Sequence, residues 1–267
     1  AEGVGDEPAA VYVLARISGE GSDRRPERGD VLLTDAEVRD ILALNERYER
    51  FLLVLNVGGV VDLTPVKDVR NILLLSQLGA ATGDSFADVL LGASYPSGRL
   101  ATTWAAWEDY STVGDFGDPD DTHYREGVYV GYRYFDSTGT APLFPFGFGL
   151  GYTGFELGEP AVDLDGSRAS VRVRVTNTGG RAGREVVQVY VSVPPGGLDQ
   201  PYQALAGFSK SAELAPGEHQ DVVVSFDLAD LASYDEARAA TVLEAGDYVV
   251  RVGVSSRDTA PAAVVGL

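Results

Sequence analysis

Two histidines, His123 and His219, and no cysteine are all this chain offers for imidazole or thiolate chemistry. Without cysteine there is no disulfide, thiolate zinc site, iron–sulfur cluster or sulfur nucleophile. A metal site normally needs clustered ligands, so each histidine reads as a surface or turn residue, and no metal or cofactor is expected. Gly147, Gly149 and Gly151 have the GxGxG form of a phosphate loop. The run follows an aromatic segment and opens no helix, which removes that reading. No Walker string and no GxSxG elbow occurs, so kinase and oxidoreductase classes fall away. The loop from Ser18 to Asp30 gathers Glu20, Asp23, Arg24, Arg25, Glu27, Arg28 and Asp30 between glycines. By itself it is a solvated, charged loop.

The elements that would position these groups alternate in the first half. Val11 to Ala15 is a short apolar run that reads as a buried strand. Thr34-Asp35-Ala36-Glu37 has capping-box spacing and predicts a helix to about Arg50, with Val38, Ile41, Leu42 and Leu44 on one face. Phe51 to Val57 and Asn71 to Leu75 predict two more buried strands. Ala80 to Leu91 fits a helix with Phe86, Val89 and Leu90 inward, stopped by Gly92. Continuous apolar strands between helices predict a mainly parallel sheet covered on both faces. Val128 to Tyr134 reads as extended, and the aromatics between Leu143 and Tyr152 read as packing under a loop.

The second half is a run of strands. Ser170 to Thr176 alternates strictly, and Glu185 to Val193, Asp221 to Phe226 and Tyr248 to Val254 repeat the pattern. Turn signals at 177–180, 194–197, 215–218 and 244–247 separate them, which predicts an antiparallel sandwich of immunoglobulin type. The expected division is 1–156 for the α/β layer and 157–267 for the β-sandwich. A length of 267 residues is enough for a core without disulfides. The balance of 21 basic and 40 acidic residues, a net −19, argues against nucleic acid and anionic membrane as partners. No apolar run reaches the length of a membrane helix. The chain opens at Ala1 and holds no methionine, so it reads as a proteolytically processed or excised product. The compartment stays open, with secretion slightly favoured over the cytoplasm.

Several strings resemble glycoside hydrolase family 3, the β-glucosidase family. They are Arg16 to Arg24 (RISGEGSDR), Val54 to Gly58, Ala87 to Gly92, Pro96 to Leu100, Glu126 to Asp136 (EGVYVGYRYFD) and Phe144 to Thr153. The sandwich is similar to the family's fibronectin type III-like domain through Val175 to Gly179, Glu185 to Val191, Leu205 to Phe208, Leu214 to Glu218 and Ser255 to Asp258. The resemblance implies an α/β sandwich, lacking its first strands before Val11, followed by a fibronectin type III-like β-sandwich. In the family a (β/α) barrel carries an aspartate nucleophile within a Ser-Asp-Trp string. This chain has neither that string nor room for a barrel. The implied partner is therefore the remainder of the same enzyme, with a small glycoside as substrate and a homodimer left open.

By the same resemblance Glu20 occupies the position of the general acid/base, with Glu27 as runner-up in the same loop. Glycines on both sides of Glu20 let the loop bend toward a sugar. Asp23 and Arg24 match the family string as loop-ordering or substrate-binding groups. Tyr124, Glu126 and Tyr132 are expected to be structural unless they face the cleft. Where relatives carry Gln-Glu, this chain has Ala80-Ala81, which bears on substrate identity. The leading expectation is an exo-acting retaining β-glucosidase. One alternative is a non-catalytic carbohydrate-binding or structural module. Another keeps the fold and changes the substrate to xylosides, N-acetylglucosaminides or glucosylated secondary metabolites.

Overall fold

β1 (Ala9–Ala15) is followed by α1 (Asp35–Arg47), β2 (Arg50–Asn56) and β3 (Ile72–Leu74). The computed structural model describes residues 8–17, 21, 23–110, 120–121 and 123–267. The three strands form a parallel sheet in the order β1-β2-β3, with Val11 opposite Leu52 and Val54 opposite Leu73. Leu53, Val54 and Leu55 of the central strand are almost wholly buried, as a sheet covered on both faces requires. β1 departs from the continuous buried strand read from its sequence. It lies at the sheet edge, and Val11 and Val13 are 46% and 55% exposed while Leu14 points inward.

The capping box of α1 forms as its spacing predicts. Thr34 Oγ1 accepts from the Glu37 backbone N–H at 3.2 Å, and the Glu37 carboxylate accepts from Thr34 N–H at 2.8 Å. The helix ends at Arg47 rather than Arg50, because Arg50 already pairs with β1. Ile41 is fully buried, but Leu42 is 39% exposed, since the next residue sits about 100° further round the helix. The second predicted helix divides into a 3-10 turn, Gly79–Ala81, and α2 (Thr82–Leu90). Gly92 ends it in a left-handed conformation, as expected (φ 78°). Leu90, expected inward, is 47% exposed, and Phe86 and Val89 are half-buried.

The segment read as extended, Val128 to Tyr134, instead runs into the start of α3 (Tyr132–Thr138). Gly131, at φ 57°, turns the chain into the helix. Tyr132, Phe135 and Asp136 then share one face by helical spacing, which a reading by alternation misses.

The sandwich uses β4 (Phe155–Leu157), β5 (Ala161–Asp165), β6 (Arg168–Asn177), β7 (Val186–Ser192), β8 (Ala204–Lys210) and β9 (His219–Asp227). A short hairpin of β10 (Ser233–Asp235) and β11 (Ala240–Val242) precedes β12 (Asp247–Ser255) and β13 (Asp258–Gly266). One sheet runs β13-β12-β7-β8. The other centres on β6, which pairs with β4, β5 and β9, all antiparallel. Val171, Val173 and Val175 from β6 meet Val187, Val189 and Val191 from β7, with Val222, Val224 and Val250, in one buried valine-rich core. The four strand runs read from sequence became β6, β7, β9 and β12.

By packing, the chain divides into two compact units. The first comprises Ala1–Ser94, Trp104–Tyr110 and Pro142–Phe144, and the second Tyr95–Thr103, Ser111–Ala141 and Pro145–Leu267. The aromatic stretch after Pro145 thus belongs with the β-sandwich, whereas a cut at 156/157 would fall inside β4.

Candidate active site

Ligands of open parallel sheets bind beyond the carboxyl ends of the strands. In the first unit that edge is formed by the loop from β1 to α1 and the loop following β2. Glu20 and its neighbours Ser18, Gly19 and Ser22 lie outside the described residues. Arg24 is placed: its guanidinium pairs with the Asp30 carboxylate and donates to the Val60 carbonyl at 3.3 Å. Gly59 makes this approach possible, because a Cβ there would lie 2.9 Å from the Arg24 guanidinium. Asp23 is exposed. Glu27 is exposed too, reaching Arg25 only at 4.0 Å. The structure therefore brings Arg24 into a bonded network and leaves Asp23 and Glu27 at the surface.

Three residues of this edge were not singled out from sequence. Asp30 accepts from Arg25 N–H at 2.7 Å as well as from Arg24. Burial opposes its ionisation, but the Arg25 N–H and the Arg24 guanidinium outweigh burial and hold the carboxyl below its ordinary value. Asp62, 7% exposed, accepts from Thr64 N–H at 2.9 Å and from Trp107 N–H at 3.0 Å. Its own N–H donates to Val31 O at 2.8 Å, tying together the loops after β1 and β2. Trp107, 37% exposed, contacts Tyr110 with ring centroids 6.3 Å apart. Burial pushes the Tyr110 hydroxyl up to about 12. Asp62 stands in an apolar string with no spacing signal, whereas Asp30 was legible only as one more loop charge.

The strings from Pro96 to Leu100, from Glu126 to Asp136 and from Pro145 to Thr153 lie in the second unit and have steric or bracing roles. Each glycine of Gly147, Gly149 and Gly151 faces a neighbour too closely for a β-carbon. A Cβ would lie 2.0 Å from Gln188 Oε1, 2.6 Å from the Gly98 carbonyl and 1.7 Å from the Tyr95 hydroxyl, respectively. The run is a packing surface. Tyr132 stacks on Phe146 (4.6 Å), meets Tyr190 edge-on (5.9 Å) and accepts from Leu205 N–H at 2.7 Å. Asp136, its side chain 2% exposed, takes Arg257 Nε at 2.7 Å and Gln203 Nε2 at 3.0 Å. Tyr132 is structural, as expected. Tyr124 is 80% exposed, and Glu126 is half-buried.

Residues 2–152 match the glycosyl hydrolase family 3 C-terminal domain, and residues 185–256 match a fibronectin type III-like domain. The chain belongs to glycosyl hydrolase family 3. Beta-glucosidase A of Butyrivibrio fibrisolvens is 38% identical over 299 residues, covering 94% of this chain and 36% of that protein. The exo-alpha-(1->6)-L-arabinopyranosidase of Bifidobacterium longum is 36% identical, covering 94% of this chain and 33% of that protein. Beta-glucosidase 3B from Thermotoga neapolitana, solved in complex with alpha-D-glucose, superposes with a TM-score of 0.89 at 41% identity. That match covers 98% of this chain and 38% of the other. The chain thus spans about a third of the length of the relatives it matches. Of the strings that carried the resemblance, the first follows β1 in sequence, and its described member Arg24 joins the network at Asp30. The string ending at Asp136 and the one containing Arg257 meet as a brace inside the second unit.

Proposed function

We propose that this chain is the part of an exo-acting, retaining β-glucosidase that supplies the general acid/base, Glu20, from the loop between β1 and α1. The aspartate nucleophile then comes from a (β/α) barrel outside the chain. The observation that carries this reading is a family 3 domain whose Arg24, in the same string as Glu20, is anchored beyond the carboxyl ends of β1 and β2. In a retaining glycosidase two carboxyl groups stand about 5–5.5 Å apart. The nucleophile attacks the anomeric carbon while Glu20 protonates the departing oxygen. Glu20 then removes a proton from the water that releases the sugar. Arg24 orders the loop in this reading, and exposed Asp23 is the substrate-contacting member of the pair. The fibronectin type III-like domain is proposed to begin with β4, beside the boundary expected at 156/157 and between the matched ranges 2–152 and 185–256.

Glu20→Ala in the complete enzyme tests the assignment. Turnover should fall most for substrates with poor leaving groups and be partly restored by azide. Unchanged turnover on an alkyl glucoside would sink the assignment of Glu20. The arabinopyranosidase among the relatives supports a second sugar reading. Chromogenic glucosides, xylosides, N-acetylglucosaminides and arabinopyranosides measured side by side separate the two, with glucoside expected to lead.

A further inference from the structure

We propose that Asp30 is the positioning residue of the acid/base loop, its carboxylate anchoring Arg24 and Arg25 after Glu20 in sequence and its backbone carbonyl taking Arg16 before it. The proposal rests on the reading of Glu20 above. Glu20 lies four residues after Arg16 and four before Arg24. Both arginines end on Asp30. Arg16 Nε donates to its backbone carbonyl at 2.8 Å, and Arg24 Nε donates to its carboxylate. The other carboxylate oxygen takes the N–H of Arg25 at 2.7 Å, holding the chain just past the second stem.

The clamp has a fixed base. Arg16, its side chain 6% exposed, also forms two bonds of 2.8 Å to Glu37, the residue that closes the capping box of α1. Asp30 N–H donates to Glu27 O at 3.2 Å, and Val31 O accepts from Asp62 N–H at 2.8 Å. Arg16 thereby links Asp30 to the start of α1, and Arg24 and Val31 link the same stretch to the loop after β2. The position demands two acceptor oxygens at one short reach. Asparagine keeps one of them and alanine keeps neither, while the backbone carbonyl that takes Arg16 survives in both, so these variants release the Arg24 side alone.

A general acid must sit within hydrogen-bond reach of the departing oxygen, and a displacement of about 1 Å costs on the order of a hundredfold. Anchoring the Arg24 side is the proposed source of that placement. Protonation of the leaving group matters for an alkyl glucoside and little for a dinitrophenyl glucoside. A positioning role therefore shows as a difference between these substrates, and loss of structure alone lowers both.

The test uses Asp30→Ala, Asp30→Asn and Glu20→Ala in the complete enzyme, with thermal melting as the check on folding. For Asp30→Ala, kcat/KM on an alkyl glucoside should fall about a hundredfold, with the dinitrophenyl glucoside within about threefold. Asp30→Asn should recover about a tenth of the alkyl activity. If Asp30→Ala does not fold, the same substrate comparison on Asp30→Asn decides. If Glu20→Ala spares the alkyl glucoside, the acid/base reading fails and this proposal with it. If Glu20→Ala shows the loss while the Asp30 variants lower both substrates alike, or neither, the positioning role alone is overturned.

Discussion

Between Gly151 and Gly183 the ring of Tyr95 leaves no room for a neighbouring β-carbon. A Cβ would lie 1.7 Å from its hydroxyl on one side and 2.7 Å from a ring carbon on the other. Because the ring is confined from both sides, it cannot swing away from either. Gly151→Ala and Gly183→Ala should each cost about 1–3 kcal/mol, read as a lower melting temperature. An unchanged melt would show that the ring relocates. At the same scale, Asp30 and Glu37 both ionise below their ordinary values. Burial opposes this, and the arginine and backbone donors outweigh it. Their stabilisation is full above the ordinary carboxylate range and is lost as pH falls through the depressed folded values. The stability difference between the parent and Asp30→Asn should therefore be largest near neutrality and shrink on acidification. Denaturant melts at several pH values check this, and a difference independent of pH would contradict it. Little of this was legible beforehand. A glycine in sequence announces that something comes close without naming what, and Asp30 shares its loop with six other charges, Glu20, Asp23, Arg24, Arg25, Glu27 and Arg28.

The elements separate by how local their determinants are. The α1 start was legible because Thr34 and Glu37 satisfy each other's backbone donors within one turn. Thr34→Ala should cost about 1 kcal/mol in melting experiments, and a neutral substitution would mean the cap is redundant. β6 was legible too, since alternation is a property of the strand itself. α3 was not: its start depends on a left-handed Gly131, and its inner face is defined by Phe146, Tyr190, Gln203 and Arg257, all distant in sequence. Its attachment should be separable from the stability of the sandwich. Asp136→Ala leaves Arg257 without its buried partner, so α3 amides should exchange about tenfold faster or more while β6 and β7 remain protected. Uniform acceleration across both would mean that α3 and the strands open as one unit.

At the scale of the whole chain, 28.3 kDa and a net charge of −19 describe about a third of the matched enzymes. No helix among the described residues is long and apolar enough to cross a membrane. If the nucleophile resides on a barrel elsewhere, these residues alone should hydrolyse an aryl β-glucoside at the background rate. Turnover comparable to a complete enzyme would overturn the division of labour proposed here. Family membership was legible from strings scattered along the chain. The division into packing units was not, because Tyr95–Thr103 and Pro145–Tyr152 pass to the second unit through contacts that no local pattern encodes.

β7 is buried on both faces. Its valines enter the sandwich core, while Gln188 bonds the Gly147 carbonyl and Tyr190 meets Tyr132, itself stacked on Phe146, all from ahead of the sandwich. The fibronectin type III-like domain is consequently not a portable module. Grafted onto another protein from Phe155 onward, it would arrive with Tyr190 bared. A transplant that keeps its fold has to carry the aromatic stretch and α3 as luggage.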